Sequence, residues 1–85
     1  MIDEDGLRLQ TRARLAARQL PVVDGMSRSQ RGTGRPCLVC RLSIDPADVE
    51  REVQGAGVFL HAHEACYKIW REESKAHRPA RLAAS

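Results

Sequence analysis

The sequence predicts a small α+β fold, and three observations predict it. Residues 3–19 repeat apolar positions at helical spacing, residues 49–62 alternate at period two around a glycine-containing turn, and residues 63–76 return to helical spacing. Eighty-five residues suffice for one small domain, which buries only a modest share of its surface. The aromatic residues are Phe59, Tyr67 and Trp70, all in the second half. So thin a core calls for a cross-link in addition to apolar burial.

The first element is an amphipathic helix within residues 1–20. Leu9, Ala13, Ala16 and Leu20 follow three- and four-residue spacing, with Arg8, Arg12, Arg14 and Arg18 largely around the other side. Asp3, Glu4 and Asp5 suit the positive end of the helix dipole, and Arg14 and Arg18 suit the negative end. Gly6 weakens the first turn, and Pro21 is the expected stop. Residues 21–34 follow, rich in Gly, Ser and Arg; they cannot bury much apolar surface and are expected as a flexible linker.

The ordered module is expected over residues 35–76. Asp45-Pro46 signals a turn. Val49, Arg51 and Val53 alternate with Glu50 and Glu52; beyond the turn of residues 54–57, Val58, Leu60 and Ala62 alternate with Phe59 and His61. That is a hairpin, with glycines supplying turn conformations other residues resist. From about His63, the residues Cys66, Tyr67, Ile69 and Trp70 fall on one side of a helix. Trp70 is expected in the core behind that helix, in preference to a binding role. Leu38 and Val39 are expected either as a small exposed contact patch or packed on the first helix. Residues 77–85 form a basic tail, interrupted by Pro79 and expected to be disordered.

The cysteines indicate what the cross-link is. Three cannot all pair as disulfides within one chain, and two stand as Cys37-Leu38-Val39-Cys40. After twenty-two residues comes His63-Glu64-Ala65-Cys66. Thiolate and imidazole are common ligands of four-coordinate structural zinc, and two ligand pairs brought back to each other by a hairpin meet its tetrahedral demand. The candidate metal ligands are therefore Cys37, Cys40, His63 and Cys66, holding one structural zinc ion. His61 competes with His63, but the i, i+3 relation of His63 to Cys66 suits the start of a helix. His61 is left as an exposed residue or a partner behind the ligands, and His77 as a solvated one. A redox dithiol would belong beside a βαβ pattern, which the sequence lacks.

These residues resemble a treble-clef zinc finger, specifically the first zinc module of a LIM domain. The likeness covers about residues 35–76 and rests on C-x2-C, a hairpin, and H-x2-C opening a helix. The chain also resembles short bacterial proteins that join a basic N-terminal helix to such a module, with a helix reading like Cys66-Tyr67-Lys68-Ile69-Trp70. The second zinc module of a complete LIM domain is absent, and Arg41 stands where zinc knuckles often carry glycine.

Charge and composition bear on partners. The net charge is +3, but residues 1–36 carry +3, residues 37–74 carry −3 and residues 75–85 carry +3. A full set of three thiolates and one imidazole leaves no open position for substrate, and no nucleophile with a base or phosphate-cradling loop is evident, so an enzyme is not expected. The leading expectation is a protein-interaction module, with a protein partner or a homodimer. The alternative is nucleic-acid binding through basic arms, with Arg28, Arg31, Arg35, Lys75, Arg78 and Arg81 as candidate phosphate contacts. The acidic balance of the module opposes that unless its helix presents a basic face. The acidic N-terminus, the absence of a long apolar run and the free thiols point to a cytoplasmic protein with neither membrane nor small-molecule partner.

Overall fold

A computed structural model describes residues 3–23, 26–55 and 57–77. In chain order they form helix α1 (Glu4–Ala16), strands β1 (Ser27–Arg31), β2 (Val49–Gly55) and β3 (Val58–His63), and helix α2 (Glu64–His77). The sheet is antiparallel with order β1-β2-β3. The expected hairpin is β2–β3, with Val53 opposite Leu60 and Glu50 opposite His63. Gly57, at φ 79°, takes the left-handed conformation in its turn.

Helix α1 begins as its acidic start suggests: the Asp3 carboxylate accepts a hydrogen bond from the Gly6 amide at 3.1 Å and caps the first turn. It ends five residues before Pro21. Ala17 is the C-cap, Arg18 takes a left-handed φ of 61°, and the amides of Arg18 and Gln19 donate back to the carbonyls of Leu15 and Arg14. That is a Schellman termination, with arginine in the usual glycine position.

The apolar stripe of α1 has the expected period but a different phase. Leu7, Thr11 and Leu15 are buried, whereas Leu9 is 62 % exposed. Thr11 tolerates burial because its hydroxyl donates to the Leu7 carbonyl at 2.7 Å, leaving no polar group unmet. The stripe faces α2, and the two helices are joined at their edge by Arg8 to Glu72 (2.7 Å) and by Arg12 to Glu73 (2.9 Å). The helix thus docks on the rest of the chain.

Residues 21–34, expected as a flexible linker, instead contain β1 and a docked lead-in. Leu20 and Val23 are core residues, the Trp70 indole donates to the Pro21 carbonyl at 2.8 Å, and the Val23 amide donates to the Ser74 hydroxyl at 3.0 Å. Strand β1 holds no large apolar residue; its ladder with β2, from Ser27 opposite Val53 to Arg31 opposite Val49, supplies the order that composition could not. Residues 24, 25 and 56 and the tail residues 78–85 lie outside the described residues. The core lies between the helices and one sheet face, with Trp70, Ile44, Val39 and Val53 fully enclosed. Trp70 is therefore a core residue, and Val39 packs inward with Leu38 partly buried beside it.

Candidate metal centre

The cysteine knuckle is built as a tight reversal beside the sheet. The Cys37 amide donates to the Leu42 carbonyl at 2.8 Å and the Arg41 amide to the Cys37 carbonyl at 2.8 Å, which turns the chain within five residues. Arg41 takes φ 69°, so it occupies the left-handed position where glycine is the easier choice. The Leu38 amide donates to the His61 carbonyl at 2.9 Å, anchoring the knuckle on β3. Because β3 ends at His63 and α2 starts at the next residue, the H-x2-C pair arrives at that anchor. His63 is the last residue of the strand, one position before the helix in which it was expected, and Cys66 lies in the first helical turn.

The structure brings Cys37, Cys40, His63 and Cys66 together: their three Sγ atoms and a His63 ring nitrogen all lie within 4.8 Å of one another. His63 Nδ1 is 3.4 Å from Cys40 Sγ and 3.9 Å from Cys66 Sγ. Zinc bond lengths and tetrahedral angles imply a sulfur–nitrogen separation of about 3.6 Å, which those two distances bracket. His63 Nε2 lies 3.2 Å from the Ser43 carbonyl oxygen, to which it can only donate, and 3.8 Å from Asp48 Oδ2. That contact puts the proton on Nε2 and turns the Nδ1 lone pair toward the sulfurs, the tautomer a metal requires.

The electrostatics of the cluster ask for a cation. The Cys37 thiol is held down at about 4, first by a hydrogen bond from Cys66, with the Cys40, His63 and Val39 amides assisting against burial. The Cys66 thiol is pushed up by the same contact and by burial, and the Cys40 thiol is raised by burial first. One negative charge is accommodated, and the second and third are opposed by their neighbours. A dication removes that opposition and releases the protons. Arg14, whose Nη1 donates to the Val39 carbonyl at 2.9 Å, sets a positive charge beside the knuckle. Burial and then Arg41 lower its pKa, and Cys37 raises it.

His61 has a different task. Arg35 donates to its Nε2, so Nδ1 carries the proton and donates to Glu50 Oε2 at 2.6 Å. Glu50 is 0 % exposed and also accepts from Gln30 Nε2 (2.8 Å), the Thr33 amide (3.0 Å) and the Thr33 hydroxyl (2.8 Å). Burial alone would raise its pKa; the hydrogen bonds outweigh burial and hold the carboxyl below its ordinary range. Sequence reasoning missed Glu50, read only as a strand position alternating with Val49, Arg51 and Val53, and missed Ser43, Asp48 and Arg14 around the cluster. No local signal marks them, because each acts on a residue far along the chain.

Among the described residues, the candidate phosphate contacts differ in their partners. Arg28 pairs with Glu52 at 3.0 Å and Arg35 lies on His61, whereas Arg31 and Lys75 are exposed and have no carboxylate partner among the described residues. Arg78 and Arg81 lie outside the described residues. No helix among the described residues is long and apolar enough to cross a membrane. Comparison with protein-family models, with curated proteins and with solved structures finds no match to this chain.

Proposed function

We propose that the chain is a small treble-clef-like module, held together by one structural zinc ion on Cys37, Cys40, His63 and Cys66, that serves as a platform for protein interaction. The observation that carries the metal reading is the convergence of three sulfurs on His63 Nδ1, with the opposite ring nitrogen engaged by the Ser43 carbonyl. Three thiolates and one imidazole complete a tetrahedral shell, so the ion's task is to supply folding free energy, on the order of 10 kcal/mol near neutral pH. The platform reading is supported by an apolar groove of about 770 Å³ where the end of α1 meets the hairpin, lined by Leu15, Leu20, Pro21, Leu38, Val58 and Leu60 among others. Val58 is 54 % exposed there, an apolar side chain available to another chain.

Metal analysis of purified protein should give one zinc per chain, and a strong chelator should abolish the helical circular dichroism and expose Trp70 to water. A protein that melts identically with and without chelator is not zinc-dependent. Self-association through the groove predicts a dimer by light scattering that Val58→Asp converts to a monomer at unchanged zinc content. A monomer before and after that change rejects self-association.

A further inference from the structure

Helix α2 turns Cys66, Tyr67, Ile69, Trp70, Glu73 and Ser74 inward, so its other face is open to solvent. On that face Lys68, Arg71 and Lys75 are all exposed. Their spacing of i, i+3 and i+7 sets them in one row, extending about 10 Å along the helix axis. Surface helices commonly neutralise such a row with carboxylates three or four residues away. Here the nearby acids are committed elsewhere: Glu72 is 2.7 Å from Arg8, Glu73 is held by Arg12, and Glu64 is engaged by Arg51. Among the described residues no carboxylate pairs with Lys68, Arg71 or Lys75. The Arg71 guanidinium is steadied over the Tyr67 ring, 5.7 Å from its centre. The carboxylates nearest the row are therefore held by other arginines, with Glu72 half-exposed at its edge, and the free side of α2 carries more positive than negative side chains.

We propose that this face of α2 binds the phosphate backbone of a nucleic-acid duplex without regard to sequence. A row of lysine and arginine is the chemistry that neutralises phosphates and releases their counterions. The face offers no exposed aromatic ring on which an unpaired base could stack, since Tyr67 and Trp70 are buried, which favours a duplex over a single strand. With no Asn or Gln the face cannot read adenine, and Arg71, the side chain best suited to read guanine, is stacked over the Tyr67 ring, which favours sequence independence. Its only apolar side chains are those of Ala65 and Ala76, so it has nothing to insert into a lipid surface. This site is separate from the groove, and its success or failure does not bear on the interaction platform.

The test is fluorescence anisotropy of the full, zinc-loaded chain with a labelled DNA duplex of about 20 base pairs, across roughly 50–200 mM salt. Each phosphate neutralised contributes about 0.9 to the slope of log affinity against log salt, so the three residues contribute about 2.7. Over that fourfold salt range the wild type should lose about 40-fold more affinity than Lys68→Gln/Arg71→Gln/Lys75→Gln, and each single variant should lower the slope by about 0.9. Zinc content and melting temperature should match the wild type, because all three side chains are exposed; the single variants serve if the triple one does not fold. Two duplexes of unrelated sequence should bind equally. An unchanged slope in folded variants overturns the proposal. So do a wild type that fails to bind duplex at low salt, tighter binding to the matching single strand, and binding to anionic lipid vesicles or an acidic peptide in place of duplex.

Discussion

Two arginines stand in backbone conformations that side chains other than glycine resist. Arg18 closes α1 at φ 61° and Arg41 closes the cysteine knuckle at φ 69°. A left-handed conformation costs an L residue about 1–2 kcal/mol, and glycine recovers part of that after its own entropic cost in the unfolded chain. At Arg41 there is a second term, because its charge opposes that of Arg14 behind the same turn. Arg41→Gly should therefore raise stability by about 0.5–1 kcal/mol, read as a higher melting temperature at full metal loading. A lowered melting temperature would mean that the Arg41 side chain contributes contacts outweighing the backbone strain. The knuckle thus keeps the turn that the C-x2-C spacing calls for, with an arginine in place of the residue that makes such a turn easy.

At the scale of elements, the loop from Gly32 to Asp48 decides how the knuckle meets the sheet. The Gly32 amide donates to the Asp48 carbonyl, the Gly34 amide to the Ile44 carbonyl and the Ile44 amide to the Arg35 carbonyl, so the two arms run antiparallel up to the cysteines. Their closest approach is at Gly32, where an added Cβ would stand 1.9 Å from the Asp45 carbonyl oxygen. Backbone cannot yield there as a side-chain end could, so Gly32→Ala should cost about 3 kcal/mol. Gly34 separates the causes: its φ is 83° but a Cβ there meets nothing within 4 Å. Gly34→Ala should cost about 1 kcal/mol, from conformation alone. Chemical denaturation of the pair tests the close approach, and equal losses would contradict it. In the sequence Gly32 reads as one more linker glycine, because the carbonyl it must clear belongs to a residue thirteen positions later.

Across the whole molecule, two buried carboxylates join parts distant in sequence. Glu50 ties all three strands to the loop after β1, and Glu73 joins α2 to α1 through Arg12. Both pKa values are lowered: for Glu73 by the Arg12 hydrogen bond first, and for Glu50 by hydrogen bonds that outweigh burial. A folded pKa below the unfolded one gives stability that is complete above the ordinary carboxylate range and is lost as pH falls through the folded value. The melting-temperature advantage of the wild type over Glu50→Gln, and over Glu73→Gln, should therefore shrink from about pH 6 to about pH 3. Acid also protonates the thiols and releases the metal, so the difference is read over the part of that range in which both proteins keep their zinc. A gap independent of pH would show that neither carboxyl pKa is lowered on folding, and a gap that widens in acid would show that it is raised.

Local chemistry made much of this protein legible from its residues. Cys37, Cys40, His63 and Cys66 could be singled out because ligand spacing is a property of a few neighbouring positions. The β2–β3 hairpin and the inward row of α2 were legible because period-two and helical repeats of large apolar residues are strong signals. The phase of α1 was not. Which of its faces is buried depends on α2, with Arg12 and Glu73 sixty-one positions apart, and the buried Thr11 does not announce itself as apolar. Nor was β1, whose polar residues are ordered by a neighbouring strand and by Gln30 on Glu50. By itself the sequence determined the periods, the turns and the two pairs of candidate ligands, each of which arises within a few neighbouring residues. Only the tertiary structure decided which faces meet, that the presumed linker is an edge strand, and which cations are left free, because those depend on pairings between residues that the chain brings together from far apart.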